Sequence, residues 1–437
     1  MRGECIKRDF GNLLLSAPLI IHTLADMKRG FMHVLFAHQN FPAQFGHIAA
    51  HLVRNQGFRC TFLSELPSGQ FGGIDRIQYQ PRGGATDRTH YCGRTFENQI
   101  WRSHALVETL RQHPQIQPDL IVGHSGFVST LFLRDLYDCP IVNYFEYFYR
   151  TEGADIDFRK DLPPVPKIDL MRARARNALP LLDLENCDVG YAPTQWQRNR
   201  LPTEFHPKVD VIFDGIDTQV WRPQVVTDRR FAGWRVPESM RVVTYVSRGL
   251  ESLRGFDIFM RVARRLCESR HDVVFLVVGE DRIAYGGDKR FTQDKTFKQW
   301  VLAQDDYDLS RILFLGRLPA PDLARLLSLT DLHIYLTAPF VLSWSLMNAL
   351  ACGATVLASD TAPVREVIQH EVNGLLVDFF DIDRLVEQAN RVLDDPRHFA
   401  EFGRAGQRLI QERYNLDVCL PQLLELYRSA VKRNPAT

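Results

Sequence analysis

Short apolar runs alternate with amphipathic stretches along most of the chain, and this alternation predicts its secondary structure. The run Phe31–His38 ends at polar residues and predicts a buried strand, and helical spacing follows in the stretch IAAHLVRN. Similar pairs of strand and helix continue to residue 218, and the same rhythm begins again at Arg241. This spacing is typical of parallel sheets that helices cover on both faces. The pattern therefore predicts an α/β protein with two doubly wound domains facing a cleft, where ligands of such folds bind.

A change of composition marks the boundary between the two domains. Residues 219–240 interrupt the alternation with a charged connector that contains tryptophan and proline. We therefore predict an N-terminal domain at residues 32–222 and a C-terminal domain at residues 223–415. The helix predicted at residues 416–437 is interpreted as packing back on the N-terminal domain. Residues 1–31 contain an apolar segment broken by proline and histidine, so we interpret them as a poorly ordered extension rather than a signal peptide.

Three local predictions concern the N-terminal domain. Residues 151–166 are acidic and rich in proline, and this composition predicts a surface loop. The stretch FVSTLFLRDL predicts a helix after the strand PDLIVG. The pattern of Ile168–Leu182 predicts a further helix, which Pro180 would kink or end because proline removes a backbone hydrogen bond.

Composition excludes several classes of protein. The 437 residues include 53 Lys and Arg against 52 Asp and Glu, a net charge of +1, so a nucleic-acid partner is not expected. The eight cysteines are scattered without a Cys-x-x-Cys pair, which argues against a zinc site or a disulfide framework and favours a cytoplasmic protein. No apolar run is long enough to span a bilayer. A peripheral contact at the inner face of the membrane is compatible with this composition.

The segment Pro339–Gly374 is a candidate anion site. A loop that carries Ser343 and Ser345 leads into the apolar helix LMNALA, and the strand ATVLAS follows. Either serine could cap this helix, whose free N–H groups and dipole would attract a phosphate at the edge of a parallel sheet. The alternative interpretation is an ordinary strand–loop–helix crossover.

This segment resembles the donor-binding segment of family 4 retaining glycosyltransferases, which have the GT-B fold of two Rossmann-like domains. Met347–Gly353 read MNALACG, where that family typically reads Leu-Glu-Ala-Met-Ala-Cys-Gly. Further similarities lie in YVSRGLESLRGFDIFM, VIFDGID and REVIQHEVNGLLV, and the resemblance covers most of residues 32–415. Together these motifs are specific, although each alone is weak.

The resemblance implies transfer of a sugar from a nucleotide-diphosphate donor, of the UDP or GDP type, to a hydroxyl acceptor. The acceptor would be a glycan, a lipid or a small molecule, and the configuration of the sugar would be retained. No cofactor and no metal are expected. The Asp-x-Asp triplets Asp155/Asp157 and Asp381/Asp383 do not follow a strand at the cleft edge, so neither predicts a metal site.

Breaking the bond between sugar and diphosphate develops negative charge on the leaving group, which cations and backbone donors can stabilise. Arg248 and Arg254 follow a strand on a glycine-containing loop and are the candidate catalytic cations. His124, at a strand end, is placed by the resemblance near the donor sugar as a stabiliser of the transition state. The resemblance likewise places Glu366 near the nucleotide, and Gly46 would let the backbone approach the leaving group.

Three residues of the N-terminal domain are candidate acceptor contacts. His38 and Gln39 share the predicted strand edge with the histidine near the donor. Glu146 lies in the aromatic run NYFEYFY and could bind acceptor hydroxyls. The aromatic residues of that run are more simply interpreted as core and wall than as a platform for a sugar.

Both donor-site glutamates of the family are replaced in this chain. Their positions hold Phe340 and Asn348. An asparagine can still bind a ribose hydroxyl, at a loss of about 1–2 kcal/mol relative to a charged bond. Phenylalanine has no polar group, so the remaining donor contacts are expected from the backbone and side chains of the loop and the first turn of the helix. These residues are Val341, Leu342, Ser343, Trp344 and Ser345.

The replaced glutamates motivate a second hypothesis, in which the protein keeps the fold and binds nucleotide sugars or other proteins without turnover. Binding of UDP or GDP without reaction would distinguish this class from an enzyme. A sugar-nucleotide epimerase of the same fold is a third hypothesis, for which the sequence offers no paired acid and base carboxylates.

Overall fold

Two parallel sheets follow one another along the chain in a computed structural model that describes residues 32–433. The predicted extension at residues 1–31 and the last four residues lie outside the described part. The first sheet has eight strands, and all neighbouring pairs are parallel except the pair at one edge. In spatial order the strands are Gly69–Phe71, Ile74–Gln78, Arg59–Ser64, His33–Ala37, Leu120–Ser125, Ile141–Phe145, Val189–Ala192 and Val209–Val211.

The second sheet has six strands, all parallel, and after its third strand the chain crosses back to the other side of its first strand. That strand lies in the middle of the sheet, as expected for a Rossmann-like domain with helices on both faces. In spatial order the strands are Ile312–Gly316, Val273–Glu280, Arg241–Gly249, Leu332–Tyr335, Val356–Ser359 and Leu375–Val377. The predicted α/β architecture of two Rossmann-like domains is therefore confirmed.

Helices connect the strands and cover the sheets. Those of the first domain are Gly46–Gln56, Arg94–Arg111, Asp155–Phe158, Lys167–Ala175, Ala178–Asn186 and Gln195–Arg200. Those that follow are Phe256–Ser269, Lys289–Thr292, Phe297–Leu302, Ala320–Leu329, Trp344–Ala351, Ala362–Arg365, Ile382–Asp394, Pro396–Leu409 and Leu416–Arg433. Between the two domains, Arg230–Phe231 and Trp234–Arg235 form a small antiparallel pair of strands.

Buried aliphatic strands form the centre of each domain. The strand Val273–Glu280 has six fully buried residues at its start, and its side chains pack on both faces of the second sheet. One face packs against the amphipathic helix Phe256–Ser269, and the other belongs to a hydrophobic cluster shared with the helices Ala320–Leu329 and Trp344–Ala351. A strand buried on both faces has a continuous apolar sequence, and such runs are what allowed the strands of this domain to be predicted from the sequence.

Residues 151–166 are not the simple surface loop that their composition predicted. They include the short helix Asp155–Phe158, and the next residue, Arg159, is buried against the C-terminal domain. The guanidinium of Arg159 donates hydrogen bonds to both carboxylate oxygens of Asp257, at 3.0 and 2.6 Å, and to the carbonyl of Ser252 at 2.7 Å. Tertiary partners that lie about a hundred residues away in sequence decided this conformation.

The other two local predictions were also wrong in part. Only Leu131–Asp135 of the predicted helix FVSTLFLRDL is helical, as a short 3₁₀ segment. The second predicted helix is interrupted at Asn177, not at Pro180. The Asn177 side chain accepts a hydrogen bond from the Tyr149 N–H and donates one to the Tyr149 carbonyl, both at 2.8 Å. Pro180 lies in the first turn of the next helix, where its missing N–H is not needed.

The last described helix, Leu416–Arg433, crosses from the C-terminal domain to the N-terminal one. It packs against the helix Gly46–Gln56, and Arg428 donates a hydrogen bond to the side chain of Gln56 at 3.3 Å. Near its start, the side chain of Leu416 lies against Gly215 of the turn between the domains, where a Cβ atom would be 2.7 Å away.

Candidate active site

Arg248 lies near the end of the strand Arg241–Gly249, the first strand of the second sheet, and Arg254 lies in the loop that follows this strand. Gly255 closes this loop with a φ of +62°, and a Cβ atom there would lie 2.7 Å from the Cβ of Leu336. Only glycine fits such a position without strain. Arg254, just before it, is 5% exposed and donates hydrogen bonds to the Thr337 hydroxyl at 2.8 Å and to the Val341 carbonyl at 3.1 Å. The arginine is thereby held beneath the loop of the candidate anion site.

Arg248 is exposed and reaches the same region from the end of the strand. Its guanidinium donates a hydrogen bond to the hydroxyl of Tyr285 at 3.3 Å. The guanidinium carbons of Arg248 and Arg254 lie 5.9 and 5.5 Å from the centre of the Tyr285 ring. Burial would lower the pKa of Arg248, but Tyr285 and the carboxylate of Glu146 raise it. Both cations therefore border one space, with Glu146 of the N-terminal domain nearby.

Tyr285 was not identified from the sequence. A carboxylate oxygen of Glu251, which is fully buried, accepts hydrogen bonds from the consecutive N–H groups of Ala284, Tyr285 and Gly286 at 3.0, 2.9 and 2.9 Å. Glu251 lies in the same loop as Arg254, so the Tyr285 backbone is tied to the arginine loop. The glycine pair after Tyr285 was the signal for a special turn, but its partner lies far away in the sequence.

Of the two serines predicted as possible caps, Ser343 is the one that caps the helix Trp344–Ala351. Its Oγ accepts a hydrogen bond from the Ser345 N–H at 3.2 Å, and the two serine hydroxyls are 2.9 Å apart. The Ser343 N–H donates to the Tyr335 hydroxyl at 3.0 Å, which anchors the cap to a strand of the sheet. The bond from Arg254 to Val341 places that cation two residues before the cap. The sheet edge therefore brings the arginine loop and the start of this helix together.

Phe340 occupies an aromatic cluster at the cleft. Its ring centre lies 4.7 Å from that of Tyr147, which belongs to the N-terminal domain, and 5.4 Å from that of Tyr285. The Arg254 guanidinium lies 5.4 Å from the same ring. Leu342 and Asn348 are buried on the loop and the helix, at 4% and 8% exposure. Apolar and cation–π contacts therefore surround Phe340, the position where the resemblance led us to expect a glutamate.

The side chain of Trp344 reaches the turn between the domains. Its indole N–H donates a hydrogen bond to a carboxylate oxygen of Asp214 at 3.0 Å. The Tyr144 hydroxyl donates to the same oxygen at 3.4 Å. Burial, and next the nearby Glu146 carboxylate, raise the pKa of Asp214 to about 7. Asp214 was missed because a buried carboxyl in a turn is not visible from sequence alone.

Two histidines and one carboxylate lie together at the edge of the first sheet. The ring centres of His38 and His124 are 5.0 Å apart, and His124 is fully buried. Nε2 of His124 lies 3.6 Å from a carboxylate oxygen of Glu146, whose other oxygen accepts a hydrogen bond from Gln44 at 3.2 Å. Burial, and next the neighbouring His124, hold the pKa of His38 well below its ordinary value. The strand ends thus bring these three candidate residues together.

Gly46 and Gln39 both have structural roles in the N-terminal domain. Gly46 begins a helix, and a Cβ atom there would lie 2.9 Å from the Cβ of Pro42, so packing alone favours glycine. Gln39 is half-buried, and its carbonyl accepts a hydrogen bond from the Glu65 N–H at 3.0 Å. Its side chain remains available to a ligand at this edge.

Glu366 binds the other domain. Its two carboxylate oxygens accept hydrogen bonds from the N–H groups of Gln195 at 2.5 Å and Trp196 at 2.7 Å. These are the first residues of the helix Gln195–Arg200 in the N-terminal domain, whose free N–H groups and dipole favour an anion. The carboxylate therefore joins the two domains instead of capping the helix next to it in sequence.

Within residues 32–433, no three or more His, Cys, Asp or Glu side chains are grouped so as to hold a metal ion. In the same part of the chain, no helix combines the length and apolar character needed to cross a bilayer.

Comparison with known proteins identifies the family. One family model, described as the glycosyl transferase family 4 group, matches residues 56–221. A second, described as glycosyl transferases group 1, matches residues 226–409. The chain belongs to the group 1 glycosyltransferases. The two matched stretches correspond to the two Rossmann-like domains.

Solved structures support the same fold. The group 1 glycosyltransferase chain superposes on sucrose-phosphate synthase from Thermosynechococcus elongatus with a TM-score of 0.72 and 18% identity, over 92% of this chain and 100% of that one. It superposes on the Anabaena protein HepE, in complex with UDP and glucose, with a TM-score of 0.62 and 17% identity, over 91% and 100%. At these identities the likeness shows the fold, which is GT-B.

The curated relatives match a smaller part of the chain than the solved structures do. N-acetyl-alpha-D-glucosaminyl L-malate synthase of Bacillus anthracis is 23% identical over 258 residues, which are 59% of this chain and 63% of that protein. A GDP-mannose-dependent mannosyltransferase of Corynebacterium glutamicum, acting on a monoacylated phosphatidylinositol monomannoside, is 24% identical over 248 residues, or 54% and 61%. The chain spans less than two thirds of the length of either relative.

Proposed function

We propose that this group 1 glycosyltransferase transfers a sugar from a nucleotide-diphosphate donor to a hydroxyl acceptor, with retention of configuration and without a metal ion. The observation that carries the proposal is the convergence of Arg248, Arg254 and the start of the helix Trp344–Ala351 at one sheet edge. Two guanidinium groups and the free N–H groups of a helix are suited to a leaving diphosphate. The complex of one similar protein with UDP and glucose, and the GDP-mannose dependence of another, are compatible with such a site.

In this proposal the diphosphate is stabilised from two sides as its bond to the sugar breaks. Arg254 is preorganised, because the Thr337 hydroxyl and the Val341 carbonyl hold its guanidinium. Arg248 is exposed and would exchange its bond with Tyr285 for a phosphate oxygen. Preorganised cations cost little reorganisation during the reaction, which is the main source of such catalysis.

The N-terminal edge would hold the sugar and the acceptor. Both ring nitrogens of His124 are buried without a hydrogen-bond partner, and Nε2 faces Glu146 at 3.6 Å. A buried, unsatisfied imidazole beside a cleft is suited to a substrate hydroxyl. Glu146 is the candidate acceptor carboxylate, with His38 and Gln39 beside it. The acceptor proton would pass to the leaving phosphate, so donor and acceptor would react on the same face of the sugar.

The test is an assay of the purified protein with a panel of UDP and GDP sugars, with and without EDTA. We expect slow donor hydrolysis, or transfer when a suitable acceptor is added, for at least one donor, unchanged by EDTA. Arg254→Ala should lower the rate by a factor of about 10² to 10³, as for the loss of one donor to a developing anion. Product NMR would report the anomeric configuration. No reaction with any donor contradicts an active transferase.

A second candidate function is a nucleotide-sugar binder without turnover. The aromatic surroundings of Phe340 favour it, because no side-chain carboxylate remains at that position to hold sugar hydroxyls. Calorimetry with UDP and GDP separates the two functions: binding by a protein that turns over no donor supports the binder. If the protein is such a binder, the double variant Phe340→Glu, Asn348→Glu should gain transferase activity. If the wild type is active and these substitutions leave its activity unchanged or reduced, the result supports the enzyme.

A further inference from the structure

Asp214 connects the two domains at the start of the candidate donor helix. It lies in the turn that follows the last strand of the first sheet and is 8% exposed. One carboxylate oxygen accepts hydrogen bonds from Trp344, the first residue of the helix Trp344–Ala351, and from Tyr144 of the first sheet. A change in the charge of this carboxyl would therefore affect residues of both domains that border the cleft.

Few of the groups around Asp214 carry charge near neutral pH. Glu146 faces it from the end of the strand Ile141–Phe145, two strands away in the sheet, and acts on it as a negative charge. Tyr144 and Tyr191 face it from the first sheet, and Tyr427 and Cys419 from the last helix; burial comes first among the causes that raise the pKa of each. These four groups are neutral at pH 7, so Glu146 is the charged neighbour that opposes ionisation of Asp214.

We propose that Asp214 is a proton-linked positioning residue for the donor site: its carboxyl holds Trp344 and the start of the donor helix, and its ionisation adds a negative charge there that weakens donor binding. The inference rests on the proposed function. An ionised Asp214 would add a second carboxylate beside Glu146 in the cleft and a negative charge on the residue that holds the helix receiving the diphosphate. Like charges at short range oppose both the closed cleft and the anionic ligand.

The size of the effect follows from the titration of the carboxyl. With a pKa of about 7, Asp214 is mostly neutral at pH 6 and mostly ionised at pH 8. If only the neutral form binds the donor, the apparent dissociation constant is divided by the neutral fraction, and affinity falls about tenfold from pH 6 to pH 8. By reciprocity, a bound donor raises the pKa of Asp214.

The first experiment detects the ionisation of Asp214 through the fluorescence of its partner Trp344. The fluorescence of wild type minus that of Trp344→Phe isolates the emission of Trp344, which we follow from pH 5 to pH 9. We expect a single transition near pH 7 in the wild-type background and none when the same difference is measured in Asp214→Asn. Asparagine has the same shape and still offers an oxygen to the indole N–H, so the variant removes the ionisation and keeps the bond.

The second experiment measures binding of UDP and GDP by calorimetry at pH 6 and pH 8. The nucleotide phosphate itself ionises near pH 6, so the decisive quantity is the ratio between wild type and Asp214→Asn at each pH. We expect wild type to lose about tenfold more affinity than Asp214→Asn between the two values. Asp210→Asn, at an exposed position of the preceding strand, is the matched control and should follow wild type.

Each outcome decides between the two ideas. A transition in Trp344 emission together with a pH-dependent affinity that Asp214→Asn abolishes supports the inference. Equal pH dependence in wild type and Asp214→Asn, or a Trp344 signal that does not titrate, overturns it while leaving the proposed function intact. If neither nucleotide binds wild type at either pH, the proposed function fails, and with it the link to the donor, even where the emission of Trp344 titrates.

Discussion

The ion pair of Arg159 with Asp257 gives the sharpest test of how the two domains are joined. Both side chains are 4% exposed, and the pair makes two parallel hydrogen bonds at 3.0 and 2.6 Å. Arg159 also binds Asp161 at 2.9 and 2.8 Å and the carbonyl of Ser252 in the arginine loop at 2.7 Å. Arg159→Met keeps the length of the side chain and removes all of these bonds.

We expect Arg159→Met to lower the free energy of unfolding by about 3–5 kcal/mol, the usual cost of leaving one buried charge of a pair without its partner. Asp257 would keep only Arg261, whose side chain is 45% exposed. The double variant Arg159→Met, Asp257→Leu should recover most of the loss, because apolar groups can replace a buried pair at little cost. The ion pair of Arg365 with Asp360 also has two hydrogen bonds, but its arginine is 61% exposed.

The measurement is urea-induced unfolding followed by far-UV circular dichroism, with linear extrapolation to water. Arg365→Met is the control and should cost about 1 kcal/mol or less, since exposed pairs contribute little. A loss below about 1 kcal/mol for Arg159→Met would refute the reasoning. So would a double variant that is less stable than the single one, because then the uncompensated charge of Asp257 is not the cause.

Three further predictions concern single positions. Gly255→Ala should lower the free energy of unfolding by about 2–4 kcal/mol in the same assay, because its Cβ would meet Leu336. Gly153 has a similar φ but open space around it, so Gly153→Ala should lower it by only about 1–2 kcal/mol, and equal losses contradict the steric argument. Burial raises the pKa of Asp183 to about 7, so the stability it contributes is complete below about pH 4 and is lost as the pH rises through 7. Wild type should therefore lose about 4 kcal/mol more than Asp183→Asn between pH 4 and pH 8 in urea titrations, and parallel curves would exclude this. Tyr285→Ala should weaken UDP binding in calorimetry about tenfold, but Tyr285→Phe less than about threefold, because the ring lies near both guanidinium groups whereas the hydroxyl binds Arg248 alone; equal losses would assign the effect to the hydroxyl.

Parts of the candidate site could be read from residue patterns because each is carried by a short local signal. The serine cap before an apolar helix and the arginines after a buried strand are signals of this kind, and the parallel sheet then brings them to one edge. Tyr285 and Asp214 had no such signal. Their positions depend on Glu251 and Trp344, which lie 34 and 130 residues away in the chain.

Hydrophobic periodicity was sufficient for the two domains and their parallel sheets, because each strand and helix buries its own apolar face. The family was indicated by the resemblance of short motifs such as MNALACG. The partners of buried polar groups followed from the tertiary structure alone. Glu366 binds the N–H groups of a helix in the other domain, and Arg159 is buried in the C-terminal domain although its segment has the composition of a surface loop. A buried charge must find a partner wherever the chain brings one, and sequence distance does not tell which residue that will be.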